Sequence, residues 1–401
     1  MADAQGINKR ISINKETTWG TKASAAGAVY LRRVTGNFQL DKDTYKSDEI
    51  RISQQTGDMR HGTRKASGSL KGEVAGNSYS QLIAATLRRD FTVGSTTTAI
   101  ITVAVAETAG VSTFTRSSLS FITNGFKVGD PVTTSGFVNS ANNGLFIIVA
   151  LTATVMTVEH FAETGALVTE VAGATVTLLV KGRKTLVPLA AHTDDSFTIE
   201  EWNSDVPSSR TFLGMRADTM GIDISPNSIA GIDFSFMGKN GDTPTTAEYF
   251  TTPTAQGSTS VYSSPDGLLL INGVASRKIT SLNLSVANNL VQEGVLGSTL
   301  IGAKGRGKVD VTIKGSAIFT DNVILGYFDA ETEIALTYAL RSADGLNTFV
   351  LTMPRVKIGS ATNDDGEKVV ILSFDGAALE YVAGGTAIDA TTLAIIDTTI
   401  P

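Results

Sequence analysis

Leu282-Asn283-Leu284-Ser285-Val286, then Thr312-Ile313-Lys314-Gly315, Thr348-Phe349 and Leu372-Ser373-Phe374-Asp375-Gly376, form the stretch on which the fold turns, because the first half of the chain carries matching pieces in the same order. Gly36-Asn37-Phe38-Gln39-Leu40 answers the first, Ser69-Leu70-Lys71-Gly72 the second, Thr211-Phe212 the third and Phe234-Ser235-Phe236-Met237-Gly238 the last. The longer pieces alternate apolar and polar residues, the period of a strand with one face buried. Their ordered recurrence predicts two tandem copies of one β-rich unit.

Composition agrees. The chain has 401 residues, enough for two or three domains with their own cores, and its 42% hydrophobic and 18% charged residues exclude general disorder. Glycine is abundant (39) and proline scarce (9), which suits strands joined by tight turns. Cysteine is absent, so neither disulfides nor thiolate chemistry contribute. A net charge of -6 argues against a surface built to grip phosphates. No apolar run approaches a membrane span and MADAQGINKR lacks a signal-peptide core, which leads to the expectation of a soluble, cytoplasmically made chain.

The expected class is mainly β: two tandem sandwich or barrel units, each with a short flanking helix, plus an inserted small β domain. Residues 1–29 are polar and small, hence an N-terminal arm. Residues 30–92 and 183–240 form a discontinuous first unit, and 93–182 an insert with turns at Gly129-Asp130-Pro131 and Asn142-Asn143-Gly144. Residues 241–265 read as a linker, 266–381 as the second unit and 382–401 as a C-terminal arm that docks on a neighbour. The first helix expects Ser78 as cap with Gln81 completing a capping box, and a stripe of Tyr79, Leu82, Ile83 and Leu87. The second expects Asp321 as cap and a stripe of Val323, Ile324, Tyr327 and Phe328. The first unit closes through a turn at Pro226-Asn227, the second through Asn363-Asp364-Asp365-Gly366.

Candidate chemistry mostly dissolves on inspection. Gly302 to Lys308 fits the GxxxxGK spacing, but Val309 replaces the metal-binding hydroxyl and a strand follows where a helix is needed. His61, His160 and His192 have no ligand partners at metal spacing. Asp194-Asp195 precedes a strand and Asp364-Asp365 lies in a turn, where turn chemistry accounts for both. No catalytic, cofactor or metal site is expected. The charged segment 41–65 reads either as a solvated loop or as an intersubunit clamp, since an assembly of identical chains must present both signs of each ion pair.

The order of strand, long charged loop, strand with an SLKG-like centre, capped helix and returning strands resembles the tail tube (major tail) proteins of long-tailed bacteriophages. Lys15-Glu16-Thr17-Thr18-Trp19-Gly20-Thr21 is similar to the opening of such proteins, and the segment Phe126 to Val158 is similar to β modules that decorate phage structural proteins. The resemblance implies tail-tube-like units that join inner sheets into rings, with the long loops reaching the next ring, and a conduit for genome ejection. On that reading the inter-ring contacts are Asp43, Lys46, Asp48, Glu49, Arg51, Asp58, Arg60 and Arg64 from the first loop, and Gln292, Glu293, Lys304, Arg306 and Lys308 from the second. Asn37, Gln39, Asn283 and Ser285 are candidates to line the lumen. Two units per chain suggest a trimer with pseudo-sixfold symmetry, with a hexamer as the other possibility. The insert should point outward. Implied partners are further copies of the chain, the tape measure protein, the tail terminator and the tail-tip or baseplate proteins. DNA would meet it only in transit and without sequence preference, and no membrane is involved. The implied location is the virion tail, with assembly in the host cytoplasm. The competing reading is a carbohydrate-binding or adhesive β-protein of a virion or cell surface, which would expose an aromatic platform around Trp19 or Trp202.

Overall fold

The computed structural model describes residues 3–162, 165–365 and 367–401, and it is built mainly of antiparallel strands. The first series comprises β1 (Lys9–Lys15), β2 (Val29–Tyr30), β3 (Thr35–Lys46), β4 (Met59–Glu73), α1 (Ser80–Leu87), β5 (Phe197–Asn203), β6 (Ser208–Ile224) and β7 (Gly231–Gly238). These strands pair in the order β2-β1-β5-β6-β7-β4-β3. The second series comprises β8 (Gly267–Ile271), β9 (Val274–Ala275), β10 (Ile279–Ala287), β11 (Leu290–Gly294), β12 (Ile301–Arg306), β13 (Asp310–Ile318), α2 (Val323–Asp329), β14 (Glu333–Arg341), β15 (Thr348–Asn363), β16 (Ile371–Ala378) and β17 (Ala394–Asp397). Apart from the hairpin β11–β12 and the terminal β17, it pairs in the order β9-β8-β14-β15-β16-β13-β10, the same path.

β6 and β15 are long because each crosses from one sheet to the other, and each does so at a bulge. Leu213 and Gly214 together face Thr198 of β5, and Pro354 and Arg355 together face Ala335 of β14, one extra residue in each case. Gly214 takes φ +67, which glycine adopts without a Cβ penalty, and Pro354 is tolerated because a bulged residue owes the ladder no N–H. A second bulge falls at Asp218 in β6 and at Gly359 in β15. These landmarks make Thr219 equivalent to Ser360, Asp223 to Asp364 and, through the ladders, Asn37 to Asn283. The other quoted matches slide against them. Asn37 faces Ser69, but Asn283 faces Lys314, two residues from Thr312. Leu70 faces Phe234, but Ile313 faces Gly376, four residues from Leu372. The β6 and β15 bulges likewise align Phe212 with Met353, four residues from Phe349. Displacements by an even number keep every side chain on its face, so the alternation was read correctly while the register was not.

One hydrophobic core runs through both series, including Ile11, Phe38, Leu70, Phe234, Leu284, Ile313 and Phe374. Several segments expected at the periphery belong to it. The N-terminal residues supply β1, whose Ile11 and Ile13 are buried against β5. Glu16 is buried as well; it accepts hydrogen bonds from the backbone of Gly20 and Gly214 and from the hydroxyls of Ser196 and Thr198 at 2.8–3.0 Å, which explains the KETTWGT opening as a clasp. The segment 241–265 is no free linker, since Phe250 and Tyr262 are buried and the buried Glu200 accepts the N–H groups of Tyr249 and Phe250. The C-terminal segment docks on its own chain: β17 lies between β15 and Arg183–Leu186, with Leu393 to Ile396 buried. The charged segment 41–65 is mostly strand, its connecting loop limited to 47–58.

Helix capping also differs from expectation. α1 starts after Tyr79 with no side-chain cap, because Ser78 Oγ bonds Gly76 O instead. Asp321 does accept the N–H of Val323, at 3.1 Å. The α1 stripe is buried, whereas Val323 and Phe328 of α2 are exposed. Of the turn at 363–366, Asp364 accepts the N–H of Ile371, and Gly366 lies outside the described residues.

Residues 96–179 form a separate seven-stranded sheet in the order Thr96–Ile100, Val176–Leu179, Pro131–Ser135, Gly144–Leu151, Val155–His160, Val111–Arg116, Val103–Thr108. Its core holds Phe114, Phe121, Phe126 and Phe146. It rests on the second series through Ile147 and Phe161 against Leu268, Leu270, Val350 and Ile396. A largely buried ion triad reinforces the contact, Lys184 bridging the buried Asp130 of the insert and the half-buried Asp389, the latter at 2.7 Å. Burial pushes the Asp130 carboxyl up to about 6 against the pull of Lys184. The native chain therefore binds this proton more readily than the unfolded chain, so the group makes stability rise as pH falls from about 6 toward 4. Asp130→Asn should flatten that part of the pH profile in urea denaturation. Lys184→Met, which leaves the buried Asp130 and the half-buried Asp389 without their cation, should cost about 3 kcal/mol near neutral pH.

Candidate assembly surfaces

The two series meet where β6 pairs with β10, from Thr219 opposite Ala287 to Ile224 opposite Leu282. This joins their inner sheets into one antiparallel path, β3-β4-β7-β6-β10-β13-β16-β15. On its buried face Met220 and Ile222 meet Val286 and Leu284. On the other face Asn283 Nδ2 donates to Asp223 Oδ1. Asn37, Gln39, Asn283 and Ser285 all lie on this second, polar face, beside cross-strand pairs of Lys71 with Asp233 and Lys314 with Asp375.

The junction is locked from α1. Arg88, in the left-handed position after the helix, sends Nε to Asn288 Oδ1 at 2.8 Å and Nη2 to the carbonyls of Asn288 and Gly307. Burial, with the charges of Arg306 and Arg216, brings the Arg88 guanidinium down to about 10. Asp194 balances the cluster at 2.5 Å from Arg216 and 2.6 Å from Lys304. Burial opposes its ionisation, but the hydrogen bond from Lys304 and the charges of Arg216 and Lys304 outweigh that and hold its carboxyl below the usual range.

Both long loops are β-hairpins, and they lie side by side: Arg64 N–H donates to Thr299 O at 2.8 Å, and Arg64 bridges Leu300. Of the charged residues singled out in the sequence, Asp43, Lys46, Asp48, Glu49, Arg51, Asp58 and Arg60 are exposed along the first hairpin. Glu49 pairs with Arg51 at 3.0 Å and Asp58 with Arg60 at 3.1 Å. Glu293 and Lys308 are exposed on the second. Arg306 is also exposed but donates to Thr193 O, and others are half-buried: Gln292 bonds Gly238 O, Lys304 bonds Asp194 and Arg64 bonds Thr299. The sequence reading missed the apolar tips. Ile50 and Ile52 on the first hairpin and Leu296 on the second are fully exposed. An Ile-Arg-Ile run inside a charged loop was the signal available.

No aromatic platform forms at the tryptophans. Trp19 donates to Gly214 O and is covered by Lys239 at 4.5 Å, and Trp202 is half-buried in β5. In the insert, Ser112 Oγ lies 2.8 Å from His160 Nε2 and also donates to Glu107. Here the serine sits between acid and histidine, so the histidine is not oriented by the acid as nucleophile activation requires, and the serine is buried. Among the described residues no helix is long and apolar enough to cross a membrane.

The phage tail tube protein family matches residues 6–378 of the chain. The chain belongs to that family. No match is found among curated proteins. This tail tube protein is therefore a structural protein of the virion tail, of a family that is not one of enzymes. Its junction makes a direct claim on stability: Arg88→Ala, which strips the Asn288 and Gly307 acceptors of their donor, should cost about 2–3 kcal/mol in chemical denaturation.

Proposed function

We propose that this tail tube protein closes into trimeric rings of pseudo-sixfold symmetry that stack into the tube of a long-tailed phage, through which the genome passes. The observation that carries the reading is the repeated strand path, which ends in two sheet edges, at β3 and at the far end of β15, as a closing ring requires. Three copies give a wall of about 24 strands, roughly 115 Å around at ordinary strand spacing and roughly 37 Å across before tilt widens it. That bore is wider than a DNA duplex. The polar face with Asn37, Gln39, Asn283 and Ser285 would line it, and the insert would face outward. The chain would be made in the host cytoplasm and meet the tape measure protein inside the tube, with the terminator and tip or baseplate proteins at its ends.

Stacking is assigned to the hairpins, with Asp43, Lys46, Asp48, Glu49, Arg51, Asp58, Arg60, Glu293 and Lys308 giving orientation and Ile50, Ile52 and Leu296 giving most of the affinity. Exposed ion pairs are worth about 0.2–1 kcal/mol each, whereas burying an isoleucine is worth about 1.5–3 kcal/mol. Negative-stain microscopy of purified protein should show rings or hollow tubes; compact particles without a bore would refute the reading. Replacing Ile50, Ile52 and Leu296 with serine should raise the concentration needed for tubes at least about tenfold while single rings persist. Changing Asp43, Asp48 and Glu49 to lysine should shorten the tubes, and normal lengths would mean those residues are not part of the clamp.

A further inference from the structure

The junction inside the chain shows how one edge of the inner path is covered by a strand of the other series. Its counterpart between chains rests on the ring-forming reading above and deepens it to individual residues. In the first series the far end of β6 is covered by β10. Its equivalent, Ser360 to Asn363 at the end of β15 with Asp364 just beyond it, pairs with β16 on one side and is exposed except for the half-buried Ala361. Beside it opens a groove of about 1000 Å³ lined by Lys314, Phe328, Glu331, Ile358 and Asp375. α1 is buried from Leu82 to Leu87, whereas α2 has no buried residue. The place that β10 fills in the first series is open in the second.

We infer that the edge of β3 from a second copy fills it, in the register Ser360 opposite Asp41, Thr362 opposite Gln39, Asn363 opposite Phe38 and Asp364 opposite Asn37. Transferring the β6–β10 pairing through the equivalences set by the bulges fixes that register. Two chemical coincidences support it. Asp223 and Asn283 bond across the internal junction, and their equivalents are again an aspartate and an asparagine, Asp364 and Asn37. Arg88 reaches Asn288 from the left-handed position after α1; Glu331 holds the left-handed position after α2, and the equivalent of Asn288 is Lys42, of opposite charge.

The β3 edge carries a side-chain cover in the single chain. Lys9 Nζ donates to Gly36 O at 3.1 Å, Phe38 N–H donates to Glu201 Oε1 at 3.2 Å, and the two side chains pair at 2.5 Å. In the second series, where the corresponding edge of β10 is permanently paired, Gly267 and Tyr338 stand at the positions of Lys9 and Glu201. The ion pair is thus present only at the unpaired edge, where charged side chains discourage unwanted strand addition. It must swing aside when a second copy arrives.

The absence of cysteine makes the test direct. Facing residues of an antiparallel pair lie about 4.5–5.5 Å apart at Cα, within disulfide reach. Tubes of the Asn37→Cys, Asp364→Cys double variant, oxidised and run on a non-reducing denaturing gel, should give covalent multimers. Neither single variant should do so, and Gln39→Cys with Asp364→Cys should crosslink at least tenfold less. Tubes that form without crosslinks, or that crosslink better through position 39, overturn this register and leave the tube reading standing. If the double variant does not assemble, a helical reconstruction of wild-type tubes decides, by whether Asp364 or another residue lies beside Asn37. Wild-type protein that never forms rings or tubes overturns both inferences.

Discussion

A β-strand at the edge of a sheet carries unmatched N–H and C=O groups, and the layout of this chain follows from where it leaves them. The inner path runs from β3 to the end of β15 through antiparallel ladders, and its two series join through a ladder of their own, β6 on β10. Because a backbone ladder is indifferent to sequence, the side chains beside it supply discrimination. At the internal junction they are aliphatic pairs on the buried face and an Asp–Asn hydrogen bond on the polar face. The same division of labour suits any further ladder the path accepts.

The two series share a path but not a burial pattern, and the difference is informative about energetics. α1 is packed on nearly all sides and its following Arg88 is locked to Asn288, so the first series owes stability to contacts within the chain. α2 has half-exposed apolar residues and is followed by Glu331, whose carboxylate makes a surface pair with Lys357 at 2.5 Å. Such a pair contributes little in water. A helix in that state gains more from a neighbour than from its own chain, which biases the molecule toward assembly without requiring a change of fold.

Much of this was legible in the sequence. Alternation around Phe38, Leu70, Leu284 and Ile313 placed the inner strands on their correct faces, and Leu82, Ile83 and Leu87 marked the first helix. Register was not legible, because a period of two records facing and is blind to a slide of two or four residues; only the bulges at Asp218 and Gly359 fix it. β1 escaped notice because Ile11 and Ile13 are its sole apolar residues amid Lys, Arg and Asn, and their burial is decided by β5, which is far away in sequence. Phe250 and Tyr262 were masked by the Thr, Ser and Pro around them. The hairpin charges drew attention away from Ile50 and Ile52, although fully exposed aliphatics are the costlier feature to leave in water.

On the proposed ring reading, the polar face of the inner sheet would have to face DNA without holding it. Lys71 lies opposite Asp233 and Lys314 opposite Asp375, so the cations of that face stand beside anions on the next strand. Binding to phosphates depends on clustered cations that release counterions, and a lysine paired with a carboxylate has less to release. Asn37, Gln39, Asn283 and Ser285 add hydrogen-bonding capacity but no charge. With a net charge of -6 over the whole chain, such a surface, if it lines the bore, would repel a polyanion weakly. On that reading, low affinity would come from setting opposite charges on facing strand positions more than from removing them.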